Sequence, residues 1–300
     1  MKKQLLVLLA CVFVVMIGFG ITLPVLPFYV ERLALAEEAS RQSIVLHVGL
    51  LTGVYPLTQL IFAPLWGHWS DRIGRRPLVL IGIAGYVLAQ VLFGLANSLW
   101  LLYAARIIGG MLSSATLPVA AAYVADMTTE SELGRGMAWL GTATSLGVVV
   151  GPALGGLLSR RDWHFNWIYA HFMVDSFSTP FFAAAFSGLL TLLAAMRWLP
   201  ESLLSMGAYP ANAEMKSDWR TLVKSLRPLL ALALAGQLAL TIFEGTFALY
   251  AQAMFNYGPV EVGAVFVVCG LVMAVFQAGA VGFLAGRIAE IYQIGLEGSH

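Results

Sequence analysis

Eight long apolar stretches, separated by short polar joints, constrain this chain more than any other feature of its sequence. A helix that crosses a bilayer needs about 20 mainly apolar residues, which each stretch can supply. The stretches are 5–29, 44–66, 78–96, 100–124, 136–158, 178–199, 229–251 and 261–284. Charged residues make up only 11% of the chain, against about a quarter in soluble domains. The sequence therefore predicts an all-α polytopic membrane protein with the lipid bilayer as its main partner.

Basic residues predict how the chain is oriented. Lys2 and Lys3 precede an apolar run that continues from Leu5 to about Val30 without a small-x-small cleavage site, which favours a first membrane helix over a signal peptide. With the N-terminus in the cytoplasm, twelve Lys and Arg residues lie on the cytoplasmic side and four on the outer side. Because short cytoplasmic segments are enriched in Lys and Arg, we expect a multi-pass inner-membrane protein with a cytoplasmic N-terminus.

An internal repeat predicts the domain organisation. The segment 62–71 aligns with 281–290, so that Gly67 corresponds to Gly286 and Asp71 to Glu290. Helix 2 then corresponds to helix 8, and helix 1 to helix 7.

The repeat divides the chain into a six-helix bundle (1–199), a cytoplasmic linker (200–228) and the first two helices of a second bundle (229–300). A complete protein of this design has twelve helices and on the order of 400 residues. We therefore expect an incomplete chain with about 8 of 12 helices. It could be a fragment, the product of a frameshifted gene, or a natural short product.

The composition excludes several classes of function. The net charge of +1 comes with no basic stripe, so no nucleic acid is expected as a partner. Cys11 and Cys269 both lie in apolar runs without the spacing of metal ligands. We find no nucleophile triad and no phosphate-binding loop, so we expect neither an enzyme nor a bound metal or cofactor.

Four stretches carry a resemblance to a known family. They are GFGITLPVLPFYV (18–30), GHWSDRIGRR (67–76), RIIGG (106–110) and GVVVGPALGG (147–156). Together they resemble the drug–proton antiporters of the major facilitator superfamily, and the first two are closest to the tetracycline-efflux branch. The resemblance implies the major facilitator fold, alternating access, proton antiport and a small lipophilic substrate. It also implies a monomer if the protein is complete.

The second of these stretches is interpreted as a loop between helices 2 and 3 that acts as a conformational latch. The latch residues are Gly67, Asp71, Arg72, Gly74 and Arg75, with Gly286 and Glu290 as their counterparts in the second bundle. Gly67 would let helix 2 approach a neighbour, and Asp71 would pair with Arg75 four positions on. The alternative is a simple topology determinant. We expect Asp126 to cap a helix or to pair with Arg135.

Small residues in helix 5 predict close helix packing. The motif residues are Gly147, Gly151, Pro152, Gly155 and Gly156. Residues 147, 151 and 155 form a ridge with period four, and Gly270 and Ala274 begin a similar ridge in helix 8. We expect the two ridges to pack across the bundle interface. The alternative is packing within one bundle.

Two charged residues inside apolar spans are the candidates for proton coupling. A charge at the bilayer centre is costly, so Arg106 in helix 4 and Glu244 in helix 7 are interpreted as functional. The alternatives are a structural hydrogen-bond hub for Arg106 and a packing role for Glu244. Tetracycline exporters carry acidic residues in helices 1 and 3 where this chain has Val15 and Ala89, which argues against the same metal–tetracycline chemistry.

The sequence yields one leading hypothesis and two rivals. The hypothesis is proton-driven export of a lipophilic drug-like compound. The residues expected to line the substrate cavity are Pro24, Pro27, Gln59, Gln90, Gln237 and Phe243. One rival is a sugar or organic-acid porter of the same fold, and the other is a truncated product that inserts but does not transport.

Overall fold

The computed structural model describes residues 3–159, 167–169, 172–202 and 219–275. Its helices are α1 (Lys3–Ala36), α2 (Arg41–Ile73), α3 (Arg75–Gly94), α4 (Leu99–Leu112), α5 (Thr116–Met127), α6 (Glu130–Leu158), α7 (Thr179–Trp198), α8 (Trp219–Phe255) and α9 (Pro259–Val275). A short 3₁₀ turn, Ser113–Ala115, joins α4 to α5, so these two helices form one span. Seven spans in the described part are long and apolar enough to cross a membrane, and α9 is a shorter apolar helix.

Helix α1 is the centre of the first bundle. It contacts each of the helices α2–α7, most extensively α6. Tyr29 near its end is fully buried, and the Tyr29 hydroxyl donates to the carbonyl oxygens of Phe93 (2.9 Å) and Ala96 (2.8 Å). A long apolar helix without a polar stripe can be surrounded in this way because every face of it can pack.

The bundle has two ends, called the Gly74 end and the Pro259 end. The Gly74 end is where α1 begins and where α2 turns into α3. The Pro259 end is where α1 finishes and where α8 turns into α9.

Helices α8 and α9 join the first bundle at the Pro259 end. Phe28 of α1 packs into a small core made by α8 and α9. The core residues on those helices are Ala248, Ala251, Val262 and Phe266. The Gln252 amide donates a hydrogen bond of 2.7 Å to the Glu31 carboxylate. Towards the Gly74 end α8 diverges from the first bundle, and its apolar side chains such as Leu234 and Leu238 are exposed.

The helical bounds differ from the expectations in two places. The predicted loop 67–76 is almost entirely helical, because α2 continues to Ile73 and only Gly74 separates it from α3. Helix α8 begins at Trp219, so residues 219–228 of the predicted linker are helical. The segment between α6 and α7 contains two short antiparallel strands, β1 (Trp167–Tyr169) and β2 (Phe172–Val174), in a fold whose other described elements are helical, as expected.

Polar residues explain why α2 continues as far as Ile73. Once a helix leaves the hydrocarbon region, water can solvate its side chains, so Ser70, Asp71 and Arg72 extend it instead of ending it. The helix stops at Gly74, whose φ of 112° lies in a region that L side chains rarely adopt.

Candidate functional site

A cluster of charged side chains lies at the Gly74 end. Arg75, at the first position of α3, is its centre. Its guanidinium donates to the carboxylates of Asp71 (2.5 Å) and Asp126 (3.0 Å) and to the Ser70 hydroxyl (2.5 Å). The cluster therefore joins α2, α3 and α5 through one buried cation.

The chain that follows α7 completes this cluster. Glu201 accepts hydrogen bonds from the backbone N–H groups of Arg75 (2.8 Å) and Arg76 (3.2 Å). These N–H groups at a helix start have no partner within the helix, so the Glu201 carboxylate caps α3 and lies at the positive end of its dipole. Ser202 donates to Asp126 (3.0 Å), which ties the same segment to α5.

The structure brings together part of the predicted latch. The Asp71–Arg75 pair is present, but it spans the turn at Gly74 instead of one helical turn. Arg72 is exposed. No described residue lies within 4 Å of a Cβ built on Gly67, so the close approach expected there is not observed in the described part. Gly286 and Glu290 lie outside the described residues.

Two features of the cluster were not predicted correctly. Asp126 was expected to cap a helix or to pair with Arg135, and this was wrong, because Asp126 binds Arg75 instead. Glu201 was missed. The sequence Pro200-Glu201-Ser202, directly after an apolar span, was the available signal. A carboxylate at such a position has few roles except at the membrane surface.

The glycine ridge of α6 packs against α1. A Cβ on Gly151 would lie 2.6 Å from the Cα of Gly20, and one on Gly155 would lie 2.7 Å from the carbonyl oxygen of Ile21. A Cβ on Gly147 would lie equally close to the carbonyl oxygen of Phe13 of α1. The ridge residues of α6 therefore pack within one bundle, which was the alternative, whereas the expected contact between helices 5 and 8 (α6 and α9) is made by other residues of α6.

A different side of α6 contacts α9. A Cβ on Gly156 would lie 2.8 Å from the carbonyl oxygen of Pro259, and one on Gly263 would lie 2.6 Å from that of Pro152. Gly270 lies against Val149. Helices α6 and α9 thus pack backbone to backbone near the Pro259 end, through Gly156 and Pro152 instead of the ridge.

Arg106 lies inside the first bundle. It is 6% exposed, and its Cζ atom is 5.5 Å from the ring centres of both Tyr55 and Phe93, which suits cation–π attraction. It lines a cavity of about 20 Å³ enclosed by α1–α4 and the 3₁₀ turn, together with Gln90. This space is far too small for a drug molecule.

Glu244 lies in the middle of the apolar span of α8 and is half-buried. Its neighbour Gly245 faces Thr52 of α2 at 3.7 Å. Glu244 is close enough to Arg106 for the two charges to interact. Glu244 thus lies beside the contact between α2 and α8, within electrostatic range of Arg106.

The predicted substrate-cavity residues lie at several different places in the described part of the chain. Pro24 and Pro27 are buried in α1, and Gln237 is exposed on α8. Phe243 packs against Phe247 and Phe266, with ring centres 5.1 Å and 5.9 Å away. That these residues bind a substrate together stays a prediction.

In the described part of the chain, an open groove is large enough for a drug-sized molecule. It measures about 690 Å³ and runs between α2 and α5 on the Gly74 side. Its lining is mostly apolar and includes Leu60, Pro64, Leu117 and Gln59. Of the predicted cavity residues, Gln59 alone borders it.

A bundle of seven apolar spans, in the part of the chain that the structure describes, defines a multi-pass membrane protein. The family model described as Major Facilitator Superfamily matches residues 8–296. The chain therefore belongs to the major facilitator superfamily.

Relatives and solved structures agree with this assignment. The class B tetracycline resistance protein of Escherichia coli is 32% identical over 91% of this chain and 63% of its own length. Multidrug resistance protein 2 of Bacillus subtilis (strain 168) is 27% identical over 96% of this chain and 68% of its own length. A bacterial homolog of the human lysosomal transporter Spinster, in an inward-facing and unoccupied conformation, superposes with a TM-score of 0.77 at 18% identity, over 95% of this chain and 62% of that one. The chain thus spans about two thirds of the length of these proteins.

Proposed function

We propose that this chain forms the substrate-coupling part of a drug exporter in which inward proton movement drives a lipophilic compound outward. The observation that carries the proposal is the carboxyl group of Glu244, placed mid-span within electrostatic reach of Arg106. The names of the relatives, which specify tetracycline and multidrug resistance, support export as the direction.

The coupling follows from the two charges. When Glu244 is ionised, its attraction to Arg106 favours the conformation that holds α8 against α2. Protonation removes that attraction and weakens the contact between the bundles. A proton bound on one side of the membrane and released on the other can therefore bias an alternating-access cycle.

The lining of the groove favours a lipophilic substrate over a sugar. A sugar site needs several hydrogen-bonding groups, whereas this groove is bordered mostly by Leu, Pro, Ala and Gly side chains. The basic residues near Gly74 support an orientation in which the groove opens towards the cytoplasm.

The test is the substitution Glu244→Gln, measured with ethidium as the probe in everted membrane vesicles. We expect loss of ethidium transport driven by a pH gradient, while ethidium exchange at equal pH on both sides persists. Glu132→Gln, which changes an exposed carboxylate on α6, is the control and should leave both activities intact. Unchanged gradient-driven transport in Glu244→Gln overturns the proposal.

A further inference from the structure

The small cavity beside Arg106 contains two buried polar atoms that have no protein partner. Arg106 and Gln90 are 6% and 5% exposed. The Nε atom of Arg106 and the Oε1 atom of Gln90 make no hydrogen bond with any described residue. Both side chains line the same cavity. Leaving buried polar atoms unpaired is costly, so such atoms usually bind something.

The orientation of the Gln90 amide is fixed by its neighbours. Its nitrogen and the Tyr86 hydroxyl lie side by side above Gly18, so the amide N–H can donate towards that hydroxyl oxygen. Tyr86 in turn donates to the carbonyl oxygen of Ala184 (3.4 Å). The amide oxygen of Gln90 is therefore the atom that faces the cavity.

The two atoms select the chemistry of the ligand. Arg106 offers a donor and Gln90 an acceptor, so the ligand must accept one hydrogen bond and donate another. A chloride ion cannot donate to Gln90, and a metal cation cannot accept from Arg106. The cavity of about 20 Å³ also exceeds only slightly the roughly 10–15 Å³ that one water molecule needs.

We propose that this cavity binds a single water molecule, which accepts a hydrogen bond from Nε of Arg106 and donates one to Oε1 of Gln90. Thr22 supplies a third partner, because this residue also lines the cavity and its hydroxyl, while donating to the carbonyl oxygen of Gly18 (2.9 Å), can accept from the water. Three hydrogen bonds are typical of a buried water. The water makes Gln90 a positioning residue for Arg106 instead of a substrate ligand.

The site is tested by X-ray hydroxyl-radical labelling of the purified chain in nanodiscs, read by mass spectrometry. Phe93 lines the cavity, whereas Phe28 is equally buried but packs in the separate core with α8 and α9. We expect several-fold more labelling of Phe93 than of Phe28. Equal labelling of the two rings overturns the proposal.

Two pairs of variants locate the water. Val15→Ile adds a methyl group to the cavity wall and should abolish the excess labelling, whereas Val14→Ile, on the same helix but outside the lining, should not. Gln90→Leu removes the acceptor and should also abolish it, whereas Gln90→Glu keeps an acceptor and should retain it. Labelling that survives in both Val15→Ile and Gln90→Leu overturns the proposal.

The positioning role, but not the water site, rests on the proposed export function. In the vesicle assay, Gln90→Leu should lower the maximal rate of gradient-driven ethidium transport without changing the apparent KM, and Gln90→Glu should restore it. Loss of labelling with unchanged transport overturns the positioning role alone. If Glu244→Gln also leaves transport unchanged, the export proposal fails while the water site stands.

Discussion

At the scale of single residues, Arg75 illustrates how burial decides what a charge pair contributes. It binds two carboxylates, but the Asp71 side chain is 64% exposed and the Asp126 side chain 18%. Water screens the Arg75–Asp71 pair and competes with each charge for its partner. Little water reaches the Arg75–Asp126 pair, so solvent cannot replace a lost partner there.

We predict unequal costs for neutralising these two carboxylates. Asp126→Asn should lower the free energy of unfolding by about 1–3 kcal/mol, because it removes the charge paired with buried Arg75. Asp71→Asn should lower it by at most about 1 kcal/mol. Unfolding of the purified protein by SDS titration measures both, and equal losses would contradict this account of the cluster.

We also predict that Glu201 stabilises the start of α3. Glu201→Ala leaves two backbone N–H groups of that helix without their acceptor, so the free energy of unfolding should fall by about 0.5–2 kcal/mol. Glu132→Ala, at an exposed position on α6, is the matched control. A loss no larger than that of the control would show that the cap contributes nothing to stability.

At the scale of elements, α6 uses two sides for two partners. Gly151 and Gly155 face α1, whereas Gly156 faces α9. Consecutive residues in a helix point about 100° apart. The motif therefore combines two packing surfaces, one inside the first bundle and one at its contact with α9.

We predict that these glycines are not interchangeable with others on the same helix. Gly151→Ala places a methyl group against the backbone of α1 and should cost about 1–3 kcal/mol of stability through overpacking. Gly141→Ala meets no described atom within 4 Å, so it should be neutral or stabilise by up to about 1 kcal/mol. Thermal unfolding of both variants in detergent checks this, and similar melting temperatures would contradict it.

The elements also show where sequence reasoning succeeds. The spans are predictable because apolar length alone defines them. The partner of each glycine surface is not predictable from the sequence. The small residues at positions 151 and 156 look equivalent there, and only tertiary packing assigns them to α1 or α9. Similarly, spacing finds the Asp71–Arg75 pair, but the contacts of Asp126 and Glu201 join residues 51 and 126 positions from Arg75.

At the scale of the whole molecule, the first bundle and α8 are linked by a polar contact at the Pro259 end, where Gln252 donates to Glu31. Among the described residues, the two parts diverge towards the Gly74 end. An exporter that alternates its access must break the Glu31–Gln252 contact once in each cycle.

We therefore predict that linking these two positions blocks transport. In a Cys269→Ser background, Glu31→Cys with Gln252→Cys should react with a short bifunctional thiol reagent in membranes, and ethidium transport should then fall to background. Each variant with only one of the two introduced cysteines, treated with the same reagent, is the control. Full transport by a cross-linked protein would exclude a moving contact at this end.

The one-residue turn at Gly74 also bears on how the chain enters the bilayer during synthesis. Because only Gly74 separates Ile73 from Arg75, α2 and α3 cannot enter the insertion machinery as independent segments. The arginines at this turn resist translocation, so the tip of the pair stays on the side from which it was inserted. We expect the two helices to enter as a preformed hairpin, with membrane topology and hairpin geometry set in the same step.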